Sequence, residues 1–265
     1  MPLEDDFTWV VAKALRGHDL TVDSAAARMD LDPRAAAAFC AGAFSSDLAL
    51  RFAELLDLDP AAFAGHPDYD PPGDLPDGVR RLELPFHDGT VNAWLVEMDG
   101  TTLLFDTGDR DGACREALAG AGITRLDAIF ITHGHRDHTG GLADLSNLTG
   151  ETLSPVPRHG RVLSAGATLR FGPLELATLD LSGHAHPALG YLISGLSNTA
   201  LVCGDALFAG SIGGCGDPAS YQLALANLRA ALGPLRDETV ILPGHGPATT
   251  LGAERRYNPV LAGQC

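Results

Sequence analysis

Apolar positions over residues 7–64 recur at three- and four-residue spacing, as in Trp9, Val10 and Ala14 and again in Phe52, Leu55 and Leu56. That is the period of helices with one buried face. Breaks at Gly17-His18, at residues 30–33, at Gly42 and at Asp59-Pro60 divide the stretch into four or five short helices. Asp, Ser or Pro stands near several of the starts, where a side-chain oxygen caps free N–H groups or a fixed φ suits the first turn. Residues 66–78 contain Pro67, Pro71, Pro72, Gly73, Pro76 and Gly78 and read as a linker. The expected organisation is a small all-α unit over residues 1–70 followed by a larger domain over residues 71–265. From Val79 onward the pattern changes to short apolar, β-rich runs at residues 92–98, 101–105, 128–132, 161–181, 190–194, 199–203 and 239–242, set apart by Gly and Asp turns. Helical stretches at residues 111–121 and 219–232 interleave with them, so the second domain is predicted to be α/β and layered.

The chain has 265 residues, 45% of them hydrophobic and 20% charged, enough to bury a full core. Eighteen Lys and Arg against 34 Asp and Glu give a net charge of −16, and Lys13 is the single lysine. Affinity for a phosphate backbone is therefore not expected. Leu20-Thr21, the run Ala25-Ala26-Ala27, Met29, Leu31 and the Ala-rich segment 33–41 resemble a helix-turn-helix pattern. Residues 1–70 nevertheless hold five basic and thirteen acidic residues, and the candidate recognition helix offers Arg34 and otherwise Ala, Phe and Cys. Such a face suits packing or homodimerisation rather than nucleic acid. No run approaches 18 apolar residues, and Met1-Pro2-Leu3-Glu4-Asp5-Asp6 is acidic where a signal peptide would be basic. No membrane partner and a cytoplasmic location are expected. The five cysteines are odd in number and lack a C-x-x-C pair, which points to reduced thiols. Cys203 falls within a strand and is expected to be buried, whereas Cys215, in a glycine-rich loop, is expected at the surface.

After the apolar run at residues 128–132 comes His133-Gly134-His135-Arg136-Asp137-His138, three imidazoles and a carboxylate within six residues at a strand end. That density asks for a metal, because imidazole nitrogen and carboxylate oxygen are the usual ligands of zinc and also suit iron. Gly183-His184, Gly204-Asp205 and Gly244-His245 each follow a short apolar run at a Gly-marked turn. Singly they read as turn residues; with the first cluster they supply the five histidines and two aspartates of a two-metal site.

These segments resemble the metal motifs of the metallo-β-lactamase-fold hydrolases: T-H-G-H-R-D-H-T-G-G from Thr132, Ser182-Gly183-His184, Gly204-Asp205 with Leu207-Phe208-Ala209-Gly210, and Pro243-Gly244-His245-Gly246. The resemblance runs from about Pro85 to Pro259 and includes Leu104-Phe105-Asp106-Thr107-Gly108 and Glu254-Arg255-Arg256-Tyr257-Asn258-Pro259. Within that superfamily the chain is most similar to the hydroxyacylglutathione hydrolase (glyoxalase II) branch. The resemblance implies an αββα sandwich with His133, His135 and His184 on one metal, Asp137, His138 and His245 on the other, and Asp205 bridging them. Two divalent ions, zinc foremost with iron or manganese as alternatives, would hold a hydroxide that attacks a thioester or related acyl carbonyl, with Asp137 and Asp205 as the catalytic carboxylates. Asp106 matches a carboxylate that orients ligands, and equally a turn residue before Thr-Gly. Tyr221 is placed near substrate or in packing, and His186 beside the ligands as a hydrogen-bonded neighbour.

The expected partner is a small acyl substrate. With six residues after Pro259, the C-terminal helical domain whose basic residues hold glutathione in long-form relatives is not expected here, and Gly213-Gly214-Cys215 stands where short relatives commonly have Gly-Arg. Lactonase or β-lactamase chemistry on the same scaffold is the alternative. A single-iron dioxygenase is disfavoured by retention of all seven ligands, and a β-lactamase by Asp205 where the familiar enzymes have Cys. A regulator that senses a metabolite through the metal domain is the reading from a different class.

Overall fold

Asp6, Thr21, Asp32, Ser45 and Asp59 each accept a hydrogen bond from a backbone N–H two or three residues on, and so start five short helices. In this computed structural model, which describes residues 2–110 and 112–263, they are α1 (Phe7–Gly17), α2 (Val22–Arg28), α3 (Pro33–Cys40), α4 (Ser46–Leu55) and α5 (Pro60–Gly65). The predicted helix start at Asp111 and the thiol of Cys265 lie outside the described residues. Phe39 of α3 stacks on Phe52 of α4 with ring centroids 5.0 Å apart, and both are fully buried. Each such ring contributes roughly 2 kcal/mol of hydrophobic stabilisation.

Two six-stranded sheets follow. The first contains β1 (Val79–Phe86), β2 (Gly89–Met98), β3 (Thr101–Phe105), β4 (Ala128–Phe130), β5 (Thr152–Ser154) and β6 (Arg161–Val162), in that spatial order. Strands β1 to β3 are antiparallel neighbours, and β3 to β6 are parallel. The second contains β7 (Thr168–Phe171), β8 (Leu174–Asp180), β9 (Leu189–Ser194), β10 (Ala200–Gly204), β11 (Val240–Pro243) and β12 (Thr249–Thr250), antiparallel except for the parallel β10–β11 pair. The helices are α6 (Ala113–Gly120), α7 (Arg136–Thr139), α8 (Leu142–Leu145), α9 (Pro218–Leu232) and α10 (Leu251–Tyr257).

The alternation along each strand explains the layering. In β2, Trp94 and Val96 face β9 and β10 of the other sheet through Tyr191, Ile193 and Val202. Their neighbours Ala93 and Leu95 join Cys114 and Leu118 of α6 on the outside. In β10, Leu201 and Cys203 turn outward to Leu228 and Leu232 of α9. Central strands buried on both faces read as continuous apolar runs, as expected for the middle of a helix-covered sheet. The result is an αββα sandwich. Helices α1 to α5 share the outer core of the second sheet, where Val10, Phe39 and Phe63 join Leu201, Leu228 and Leu261.

Several details differ from the sequence reading. Asp137 and His138 stand on the one-turn helix α7 rather than in an open loop. The run at 161–181 is three strands, interrupted by turns. Strand β1 went unread because Arg80, Arg81 and Glu83 break its apolar signal, although it alternates buried and exposed as an edge strand should. Cys215 is buried, 5% exposed, with its thiol toward the Gly213 carbonyl, because the loop folds under α1 rather than outward. Among the described residues no helix is long and apolar enough to cross a membrane.

Candidate metal centre

The site lies along one edge of the sandwich, where chains leave the ends of β3 and β4 in one sheet and β8, β10 and β11 in the other. The ligand atoms of His133, His135 and His184 all lie within 4.8 Å of one another, and so do those of Asp137, His138, Asp205 and His245. All seven residues singled out by spacing are therefore brought together as two adjoining groups. His135 Nδ1 is 3.0 Å from His133 Nε2 and 3.0 Å from His184 Nε2. In the second group, His245 Nε2 is 3.2 Å from Asp137 Oδ2, and His138 Nε2 is 3.2 Å from Asp205 Oδ1. Asp205 touches both groups, its Oδ2 being 3.5 Å from His184 Nε2 and 3.7 Å from His245 Nε2.

Hydrogen bonds behind the rings fix which nitrogen faces the cleft. His138 Nδ1–H donates to Asp106 Oδ2 at 2.7 Å, His184 Nδ1–H to the Gly214 carbonyl at 2.7 Å, and His245 Nδ1–H to the Thr90 carbonyl at 2.9 Å. Thr132 donates both its N–H and its Oγ–H to Asp106 at 2.8 Å, leaving its oxygen to accept from His133 Nδ1 at 3.0 Å. Asp106 is thus a support of the ligands, and a carbonyl or carboxylate behind a ring is the arrangement that makes imidazole a good metal donor. The opposite nitrogens are turned toward the other ligand atoms across the site. His138 Nε2 and Asp205 Oδ1 are fully buried and have no hydrogen-bond partner, a costly state for a polar atom unless a cation fills the space. The donor set therefore fits divalent metal ions.

Charge follows the same logic. Burial disfavours a charged His138, but the carboxylates of Asp205 and Asp106 outweigh it and hold this ring well above the usual imidazole range. Burial likewise opposes ionisation of Asp205, and the surrounding His138, His245 and His133 reverse it, keeping this carboxylate well below its usual range. His133 and His184 are pushed down, chiefly by burial.

The backbone comes close behind the ligands. A Cβ at Gly244 would lie 2.1 Å from Asp205 Oδ1 and 2.7 Å from His138 Cε1, so only glycine fits before His245. Asn92, fully buried, donates from Nδ2 to the Pro243 and Gly246 carbonyls at 3.0 and 2.9 Å, and Trp94 Nε1 donates to Pro243 at 2.9 Å. These two side chains clamp the His245 turn onto β2. They carry no metal-ligand signature, and an Asn inside an apolar strand was the one available signal. Glu254, also fully buried, accepts from Tyr69 Oη–H at 2.6 Å, Thr249 Oγ–H at 2.9 Å, the Gly210 N–H at 2.9 Å and Asn258 Nδ2–H at 2.8 Å, and so pins the loop that follows Asp205. Tyr221 is buried under α1, its ring centroid 6.0 Å from that of His18, in a packing role. His186 is exposed and outside both donor groups.

His135, Asp137, His184, Asp205 and His245 open onto a cleft of about 460 Å³. Glu4, Asp5, Trp9 and Lys13 line it as well, none of which the spacing of metal ligands could reveal.

Residues 88–178 match the model of the metallo-beta-lactamase superfamily. A hydroxyacylglutathione hydrolase of Aeromonas hydrophila is 34% identical over 169 residues, 60% of this chain and 62% of that protein. The chain thus spans about three fifths of the length of such curated relatives. Among solved structures, the BLEG-1 B3 metallo-beta-lactamase is 25% identical with a TM-score of 0.58, covering 69% of this chain and 100% of that one. TTHA1623, in a di-iron-bound form, is 27% identical with a TM-score of 0.51, covering 68% of this chain and 98% of that one. The metallo-beta-lactamase superfamily match over residues 88–178 thus lies within an αββα sandwich behind five N-terminal helices, in a chain similar in sequence to the hydroxyacylglutathione hydrolases.

Proposed function

We propose that the chain is a metal-dependent hydrolase that cleaves a thioester or related acyl compound, with two divalent cations at one centre. The observation that carries this reading is the pair of adjoining donor groups with Asp205 reaching both. His133, His135 and His184 would hold one ion, Asp137, His138 and His245 the other, and Asp205 both. The di-iron form of TTHA1623 supports a count of two. Zinc is the expected metal, and the nitrogen and oxygen donors also suit iron or manganese. When bound, such ions supply Lewis acidity toward a carbonyl and make a water acidic enough to attack near neutral pH.

The chain's own residues do the rest. The hydrogen bonds to Asp106, Gly214 and Thr90 hold three rings in one orientation, so the site is organised before substrate arrives. Burial opposes a charged Asp137, but the hydrogen bond from His245 and the charge of His138 outweigh it, so Asp137 joins Asp205 as an ionised carboxylate facing the cleft. Burial pushes the Cys215 thiol up to about 11 and raises Cys203 further, which leaves neither as a nucleophile and makes direct attack by water the economical route. A thiolate leaves without needing much protonation, which favours a thioester.

The test is hydrolysis of S-lactoylglutathione by protein loaded with zinc, iron or manganese, with metal content measured alongside. Metal-dependent turnover is expected, reduced at least about a hundredfold in His138→Ala together with metal content. Full turnover in that variant would overturn the ligand assignment, and none in a fully loaded protein would move the substrate to other thioesters, lactones or β-lactams.

A further inference from the structure

The wall of the cleft facing the ligands is built by the segment from Glu4 to Lys13. Asp5, 5% exposed, accepts from Ser211 Oγ–H in the loop after Asp205 and pairs with the Lys13 ammonium. Lys13 also donates to the Ile212 carbonyl at 2.9 Å and lies 5.1 Å from the centre of the Phe208 ring. Gly246, at φ +72°, would bring a Cβ to 3.0 Å of the Glu4 nitrogen, so the segment sits directly on the turn that carries His245. The wall is therefore fastened to the two loops that hold Asp205 and His245.

Its chemistry is one-sided. Lys13 is the only lysine of the chain and the only Lys or Arg lining the cleft among the described residues, and Asp5 and Ile212 already occupy it. Glu4, its side chain 38% exposed at the rim, has Oε1 4.0 Å from His245 Nδ1, a nitrogen that donates to the Thr90 carbonyl, and so keeps its outer face open to the cleft. Trp9 is 59% exposed, the largest value among the exposed large apolar side chains, and stands one helical turn before Lys13 on α1. Phe86 and Phe208 flank His245 with centroids 5.4 and 5.9 Å from its ring. An aromatic face beside a carboxylate attracts an apolar cation, and the same carboxylate disfavours an anionic group placed beside it.

We propose that this N-terminal wall selects the leaving group, favouring acyl compounds whose departing part is apolar and positively charged over those that carry carboxylates. The inference rests on the hydrolytic reading above and names its substrate class. Trp9 supplies the platform and Glu4 the charge preference. Glutathione, whose leaving part carries two carboxylates, is on this basis a poor partner for the cleft.

Three thioesters with one acyl group separate the possibilities: acetylthiocholine, its uncharged 3,3-dimethylbutyl isostere, and S-acetylglutathione. Their thioether analogues, with the carbonyl replaced by methylene, are titrated into the zinc-loaded full chain and read by calorimetry and tryptophan emission, while turnover of the thioesters is measured in parallel. The cationic analogue is expected to bind about tenfold more tightly than the neutral one, and both more tightly than the glutathione compound. Trp9→Ala should weaken the first two about tenfold and remove the emission change, and Glu4→Gln should erase the advantage of the cation. Tightest binding of the glutathione compound, equal weakening of all three in Trp9→Ala, or no binding of any overturns the wall. Binding in the expected order without turnover of any thioester supports the wall and overturns the hydrolytic reading instead.

Discussion

Asp106 receives three donors, from Thr132 N–H, Thr132 Oγ–H and His138 Nδ1–H, and it does so from a left-handed backbone conformation at φ +60°. That conformation is strained for most residues and tolerated by Asp. An amide in its place would turn an NH₂ toward a donor whichever way it was flipped. Asp106→Asn is therefore expected to lower metal affinity about 10- to 100-fold while the fold persists. Competition against a chelator measures it, and an affinity equal to wild type would reduce Asp106 to a turn residue. Either role was compatible with Asp-Thr-Gly in sequence, since the donor that decides between them lies 32 residues away on α7.

At the scale of elements, α1 is both part of the helical layer and part of the cleft. Val10, Val11 and Ala14 face the core it shares with α9, while Trp9 and Lys13 face the site. What holds it in register is the Lys13–Asp5 pair, whose side chains are only 14% and 7% exposed. Removing one partner of a buried pair leaves the other charge desolvated, so Asp5→Ala should cost about 3 kcal/mol in denaturant unfolding, with Asp5→Leu plus Lys13→Met restoring most of it. A loss below about 1 kcal/mol would show that the pair is solvated and that apolar packing alone docks the helix.

At the scale of the whole molecule, the buried thiols among the described residues lie in three places: Cys114 under the first sheet, Cys203 in the second, and Cys215 beneath α1. Burial pushes Cys114 up to about 12 and Cys215 up to about 11 from an ordinary value of 9.0, and raises Cys203 further. A group raised in the folded state gives stability that is fully present below its unfolded value and lost as pH rises through the folded one. The free energy of unfolding should accordingly fall between pH about 9 and about 12, and more shallowly in Cys114→Ala. Urea unfolding across that range checks it, and a flat profile would mean that the thiols ionise equally in both states.

The helical first segment, the layered second one and the seven metal-binding candidates could all be read from sequence, because each depends on local periodicity or on dense spacing at strand ends. His133, His135, Asp137 and His138 share six positions, and no fold is needed to see that they belong together. Which oxygen meets which nitrogen, and that Asp205 lies between two groups, needed both sheets in place, since β4 and β10 reach the same edge only after the sandwich closes. The clamp by Asn92, the buried orphan atoms and the burial of Cys215 are equally products of packing. In sequence the acidic start of the chain speaks only against a signal peptide, and the single lysine only to the net charge. Tertiary structure made them a wall of the cleft, because contacts across some 200 residues leave no periodic trace in either partner.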